Sequence, residues 1–130
     1  MQTPLTIAIF GLSGWTGNAV AAEAVRRGHT VSGLVRPSSG YRALEEVKVV
    51  HGDIDDPIAV DACLAGAQVV FCLFGPHAEA REPFCEAAMV SVLAGMGRAG
   101  SRRVICQTGA MAVPDRAHIS TVMRWWAGLY

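Results

Sequence analysis

The segment Gly11-Leu12-Ser13-Gly14-Trp15-Thr16-Gly17 sets three glycines at equal intervals, G-x-x-G-x-x-G. Glycines so placed suit the holding of a phosphate. They let the backbone come close to a pyrophosphate, while free N–H groups and the dipole of a following helix favour the anion. Ser13 and Thr16 add hydroxyl donors. The first gap is one residue longer than in the usual dinucleotide fingerprint, so context must separate a phosphate cradle from a plain structural turn.

Twenty-five residues beyond Gly11 stands Arg36, where a site for a ribose diol would carry a carboxylate. A carboxylate repels a 2′-phosphate and a guanidinium pairs with it; Ser38, Ser39 and Arg42 follow closely enough to complete such a pocket. Arg36 also reads as a solvated strand-end residue, surface arginines being common. Gly52-Asp53-Ile54 offers a carboxylate and an apolar side chain to an adenine, and Asp53 reads equally well as a turn cap. Phe74-Gly75-Pro76 and Thr108-Gly109 each close an apolar run.

These residues need a scaffold, and the apolar pattern supplies one. Leu5 to Phe10, Thr30 to Val35, Val47 to His51, Gln68 to Phe74 and Arg103 to Gln107 are short, apolar and rich in β-branched residues, the pattern of buried strands. Between the first two, Val20, Ala21, Ala24 and Val25 recur at helical spacing, with Gly28 as the cap. Asp56-Pro57 starts a second helix, with Val60, Cys63 and Leu64 inward until Gly66. Pro83 to about Arg98 forms a third, with Phe84, Ala87, Ala88, Val92 and Met96 inward. Strands that alternate with helices require crossovers and parallel neighbours. The expected fold is therefore α/β, a doubly wound parallel sheet of Rossmann type with strand order 3-2-1-4-5 in three α/β/α layers. Ligands of such sheets bind at the carboxyl ends of the strands, where the candidate residues fall.

Composition narrows the function. At 130 residues, 52% of them hydrophobic, the chain is expected to form one domain, residues 1–130, with a real core. Net charge is zero and no basic run occurs, which argues against direct nucleic-acid binding. No basic segment precedes an apolar run at the start and glycines break the apolar stretches, so no membrane association and a cytoplasmic location are expected. Cys63, Cys72, Cys85 and Cys106 show no paired spacing, and His29, His51, His77 and His118 are scattered; no metal is expected.

Thr6-Ile7-Ala8-Ile9-Phe10-Gly11, the glycine turn, Leu34-Val35-Arg36, Gly52-Asp53 and Val69 to Gly75 together resemble the atypical short-chain dehydrogenase/reductases. The match is nearest to the biliverdin reductase B (flavin reductase) and NmrA-like branch. The resemblance implies NADP(H) as cofactor. It gives Gly11, Ser13, Gly14, Trp15 and Thr16 to the pyrophosphate, with Leu12 among them also counted as cofactor-binding, Arg36 and Ser39 to the 2′-phosphate, and Asp53 with Ile54 to the adenine. Leu73, Phe74 and Gly75 would line the nicotinamide ribose, and Thr108 matches a threonine after the fifth strand whose following serine is Gly109 here.

Two departures bear on function. The Tyr-x-x-x-Lys pair of the main superfamily is absent: the one lysine is Lys48, in the third strand, so no catalytic residue is named. Family members also continue into a sixth strand and a substrate-covering segment, which this chain is expected to lack. The expectation is an NADPH-dependent reductase of a small planar acceptor such as flavin, quinone or tetrapyrrole. The alternatives are an NADP(H)-sensing module of NmrA type and a fragment without function. Met123, Trp125, Trp126, Leu129 and Tyr130 make an apolar terminus, which leads to the expectation of a homo-oligomer; the other reading has this segment folding over its own sheet edge.

Overall fold

The structure, a computed structural model, describes residues 3–75 and 83–108. Five strands, β1 (Thr6–Phe10), β2 (Thr30–Val35), β3 (Val47–His51), β4 (Val69–Cys72) and β5 (Arg103–Cys106), form one parallel sheet in the order β3-β2-β1-β4-β5. Three helices connect them: α1 (Trp15–Arg26), α2 (Pro57–Leu64) and α3 (Phe84–Ala99). The order is the one the alternation of elements demands. The fourth strand is shorter than its apolar run, because Leu73 and Phe74 leave the ladder at the carboxyl edge.

Alternate residues of β1 divide the core. Ile7 and Ile9 pack with Val31, Val35 and Val47 beneath Ala21 and Ala24 of α1. Ala8 and Phe10 face the other way, against Val60, Cys63 and Leu64 of α2 and Val92 and Met96 of α3. One helix therefore covers one face and two cover the other, the three-layer arrangement expected. Ser32 is the buried polar side chain of the sheet; its hydroxyl donates to the Cys63 carbonyl at 2.7 Å, which fastens α2 to β2.

The helix ends follow their sequence signals. Asp56 accepts from the Ile58 N–H at 3.0 Å and Pro57 takes the first helical position, where no N–H is missed. Gly28, at φ +81°, closes α1. Inside α1 the buried positions are Gly17, Ala21 and Ala24, while Val20 and Val25, expected inward, only skirt the core. Small residues are needed there because the helix lies so close to β1 that a Cβ on Gly17 would run into the Gly11 carbonyl.

No helix among the described residues is long and apolar enough to cross a membrane, and none of their His, Cys, Asp and Glu side chains gather in threes that would hold a metal ion. The C-terminal residues Met123 to Tyr130, on which the oligomer expectation rests, lie outside the described residues.

Candidate nucleotide site

The order of the sheet reverses at β1, whose next strand in sequence lies on one side and β4 on the other, and such a reversal opens a crevice above the strand ends. Phe10 and Cys72 end β1 and β4 in register, and the Leu73 N–H donates to the Phe10 carbonyl at 2.8 Å. Gly11 then turns the chain at φ +93°. A Cβ there would lie 2.7 Å from the Leu73 carbonyl carbon and 2.8 Å from the Phe74 nitrogen, so only glycine lets the turn sit against β4.

A cleft of about 710 Å³ opens over this point. That volume is within the ordinary range for small-molecule sites. Gly11, Ser13 and Gly14 lie at its middle, above the end of β1, with Arg36, Asp53 and Ile54 on the β2–β3 side and Leu73, Phe74 and Gly75 on the β4 side. Nine of the expected residues thus meet in one cavity.

The glycine turn has the electrostatics of an anion site. Gly14 is the N-cap of α1 without any side-chain hydrogen bond to the helix start, and the first turn carries no acidic residue. The Gly14 N–H is engaged with the Gly11 carbonyl at 3.2 Å, which shapes the turn. A Cβ on Gly14 would meet only the Gly11 carbonyl oxygen, at 3.4 Å, so the space beyond it belongs to a ligand rather than to packing.

Arg36 leaves β2 into solvent at the cleft and makes no ion pair among the described residues. Arg26 and Arg27 are both held by Glu23, and Arg98 by Asp61 at 2.8 Å. An unpaired guanidinium facing a cleft is suited to an incoming anion. Asp53 projects from the β3 end, and the capping role at that junction belongs to Asp56.

Other expected residues stand apart. Leu12 is fully buried, its side chain laid over Gly33, so only its backbone can face a ligand. Trp15 is 96% exposed and lines a smaller pocket of about 340 Å³ with Ser13, Gly14, Asn18 and Tyr41. Thr16, Ser39 and Thr108 are exposed and line neither cavity. Ser39 instead accepts the Tyr41 N–H at 3.2 Å.

The wall that sequence reasoning missed is on α3. Phe84, Ala87, Ala88 and Ser91 follow one another at helical spacing and face the cleft. The helical spacing places Phe84, Ala87 and Ala88 in the core, but Ala87 is exposed: the stripe overhangs the sheet edge, so its first two turns meet the cavity while Val92 and Met96 pack below. Phe74 and Phe84 meet edge to face, with centroids 6.0 Å apart and planes at 79°, closing the apolar end. Asp55, Phe10 and Leu34 were also unforeseen in the lining.

Fold and site define a dinucleotide-binding protein of Rossmann type. Residues 11–128 match the family described as NAD(P)H-binding, and the chain belongs to it. The NADP(H) expected from the sequence accords with that membership. A solved structure from Burkholderia pseudomallei is 36% identical, with 82% of this chain and 48% of that chain covered and a TM-score of 0.62. A short-chain dehydrogenase/reductase from Veillonella parvula has 18% identity, a TM-score of 0.76, and 97% and 56% coverage. The Citrobacter triphenylmethane reductase complexed with NADP(H) has 22% identity, a TM-score of 0.66, and 82% and 38% coverage. The chain thus spans between 38% and 56% of the length of these three proteins.

Proposed function

We propose that the chain forms the NADP(H) site of a reductase that passes hydride directly to a small planar acceptor of the flavin, quinone or tetrapyrrole kind, as in the flavin reductase branch it resembles. The observation that carries this reading is one cleft in which Arg36, unpaired among the described residues, an uncapped helix start and an apolar end lined by Phe74 and Phe84 succeed one another. That succession suits a molecule anionic in its middle and flat at its reactive end.

The N–H groups of the turn and of the first turn of α1 would hold the pyrophosphate, and the Arg36 guanidinium the 2′-phosphate. Asp53 and Ile54 would flank the adenosine, and Leu73 to Gly75 the nicotinamide ribose. When bound, the nicotinamide supplies the hydride. Phe74, Phe84, Ala87 and Ala88 exclude water and offer an acceptor a flat apolar wall. Ser91 brings a hydroxyl to that wall. No tyrosine or lysine is among the described residues of this cleft, and the reading takes the acceptor's proton from solvent.

Steady-state oxidation of NADPH with flavin mononucleotide or a soluble quinone tests the proposal. Turnover supports the reductase. Binding without turnover moves the chain to a sensor of NmrA type, and failure to bind NADPH removes both. A cytoplasmic location and assembly through the C-terminal segment belong to the same reading; a 13.7 kDa monomer in light scattering would remove the latter.

A further inference from the structure

Cys72 and Cys106 are the last residues of β4 and β5 and lie opposite each other in the parallel register. Register partners project from the same face of a sheet, and neighbouring strands run about 4.8 Å apart, inside the Cα separations of roughly 4.4 to 6.8 Å that a disulfide spans. The Gln107 N–H donates to the Cys72 carbonyl at 3.1 Å, which holds the two ends together. The Cys106 thiol donates to Met89 Sδ of α3 at 3.9 Å, so Cys106 Sγ is turned toward the helix that covers Cys72. Cys106 is exposed, Cys72 is buried beneath, and both are free thiols.

We propose that Cys72 and Cys106 are a reversible redox pair, which hydrogen peroxide closes to a disulfide across the carboxyl ends of β4 and β5 and a thiol reductant reopens. The solvent-facing partner reacts first. The Cys106 thiolate attacks one peroxide oxygen, an S–O bond forms, the O–O bond breaks, and the departing oxygen leaves as water on taking a proton. Cys72 Sγ then attacks the sulfenic sulfur of Cys106. An S–S bond forms, the S–O bond breaks, and the hydroxide leaves as water with the Cys72 proton. Two thiols give up two electrons and the peroxide becomes two waters.

The same geometry makes the bond labile. A disulfide needs Cβ atoms about 3.8 Å apart, closer than the strand spacing, so closure must draw the ends together against the ladder, and strained bonds of this kind are the readily reduced, regulatory ones. Cys72 also leads directly into Leu73 and Phe74, against whose backbone Gly11 is closely fitted. Movement of the β4 end therefore moves the glycine turn. On this point the inference rests on the proposed NADP(H) site, whose occupancy it would regulate.

The test uses the full chain. After hydrogen peroxide, the intact mass is expected to fall by two hydrogen atoms, peptide mapping to join Cys72 with Cys106, and dithiothreitol to restore the starting mass. Cys63→Ser and Cys85→Ser variants should behave the same way, whereas Cys106→Ser and Cys72→Ala should not form the bond. Oxidation should also change amide hydrogen exchange at residues 11–14, read without cofactor, and weaken NADPH binding at least about fivefold, the low end of ordinary coupling between sites. A bond through Cys85, a cross-linked dimer, or closure that leaves both exchange and affinity unchanged overturns the proposal. Reduced protein that binds no NADPH removes the proposed function, while mapping and exchange still decide the redox pair.

Discussion

The Tyr41 hydroxyl donates to Asn18 Oδ1 at 2.7 Å, and this bond fastens the segment after β2 to the first turn of α1. A loop and a helix are thereby tied together beside the cleft. Arg36 stands on one and the glycine turn leads into the other.

NADPH is expected to bind at least about tenfold more tightly than NADH, since a charge-assisted hydrogen bond contributes roughly 1.5 to 3 kcal/mol. Arg36→Ala should erase the preference by weakening NADPH alone. Tyr41→Phe, which keeps the ring and loses the bond to Asn18, should reduce it partly. Calorimetric titration of both cofactors against the three proteins is the measurement. Equal affinities in the wild type, or a preference that survives in Arg36→Ala, would remove the role given to Arg36.

Two glycines of one motif should fail differently. Gly14 has room for a side chain and Gly17 has none. Gly14→Val should leave the far-ultraviolet circular dichroism near wild type and abolish cofactor binding, because the branched side chain enters the pyrophosphate space. Gly17→Ala should instead lower stability by about 1 to 3 kcal/mol, because its methyl group forces α1 away from β1. Denaturant unfolding and binding titration of each variant separate the two effects; normal cofactor binding by Gly14→Val would show that the turn is not the cradle.

The fold was legible because the strands and helices announced themselves locally: β-branched runs for the strands, Asp56-Pro57 and Gly28 for helix ends, and helices at three of the four strand connections, the β2–β3 link having no α-helix. The strand-end residues of the site were legible for the same reason, since glycine and arginine at the carboxyl ends of strands have few structural uses there. The α3 wall was not. Phe84, Ala87, Ala88 and Ser91 carry the same helical spacing as Val92 and Met96, and whether a stripe faces the core or a cleft depends on how far the helix overhangs the sheet, which periodicity does not encode. The burial of the Leu12 side chain was not legible for a related reason: the glycine motif does not show that Gly33 on the neighbouring strand leaves a hollow that this side chain fills.

That hollow gives a further prediction. Leu12→Ala should cost about 2 to 5 kcal/mol, the usual range for emptying a core leucine site, with helical content retained. Gly33→Ala should also destabilise, by about 1 to 3 kcal/mol, because the added methyl overlaps the Leu12 side chain. The double variant should recover part of the loss, since the new methyl enters the space Leu12 vacates. Additive losses in denaturant unfolding would mean that the two residues do not share one cavity.

Thiol reactivity should divide the four cysteines. Burial pushes the thiols of Cys63 and Cys72 up to about 12, with the neighbouring Cys106 thiol adding to the shift at Cys72, so neither carries appreciable thiolate near neutral pH. Iodoacetamide on the reduced native protein at pH 7.5 should label exposed Cys106 first and leave Cys63 and Cys72 unmodified until the chain is unfolded. Early labelling of Cys63, read by peptide mass, would contradict its place on the buried face of α2.

The acid limb of stability should carry a signature of Glu23. Hydrogen bonds from Arg26 first and Arg27 second, at 2.6 and 2.7 Å, hold its carboxyl down at about 2, against an ordinary value of 4.5. Between those values the unfolded chain binds the proton and the folded chain does not, so stability must rise with pH across that interval. The contribution is fully present above about 4.5 and is lost as pH falls toward 2. All three side chains are solvent-exposed, and the effect on melting temperature should be a few degrees at most. Thermal unfolding of the wild type and Glu23→Gln should therefore differ at pH 7 and converge by pH 2. A difference that persists unchanged at pH 2 would show that Glu23 stabilises α1 by something other than its charge.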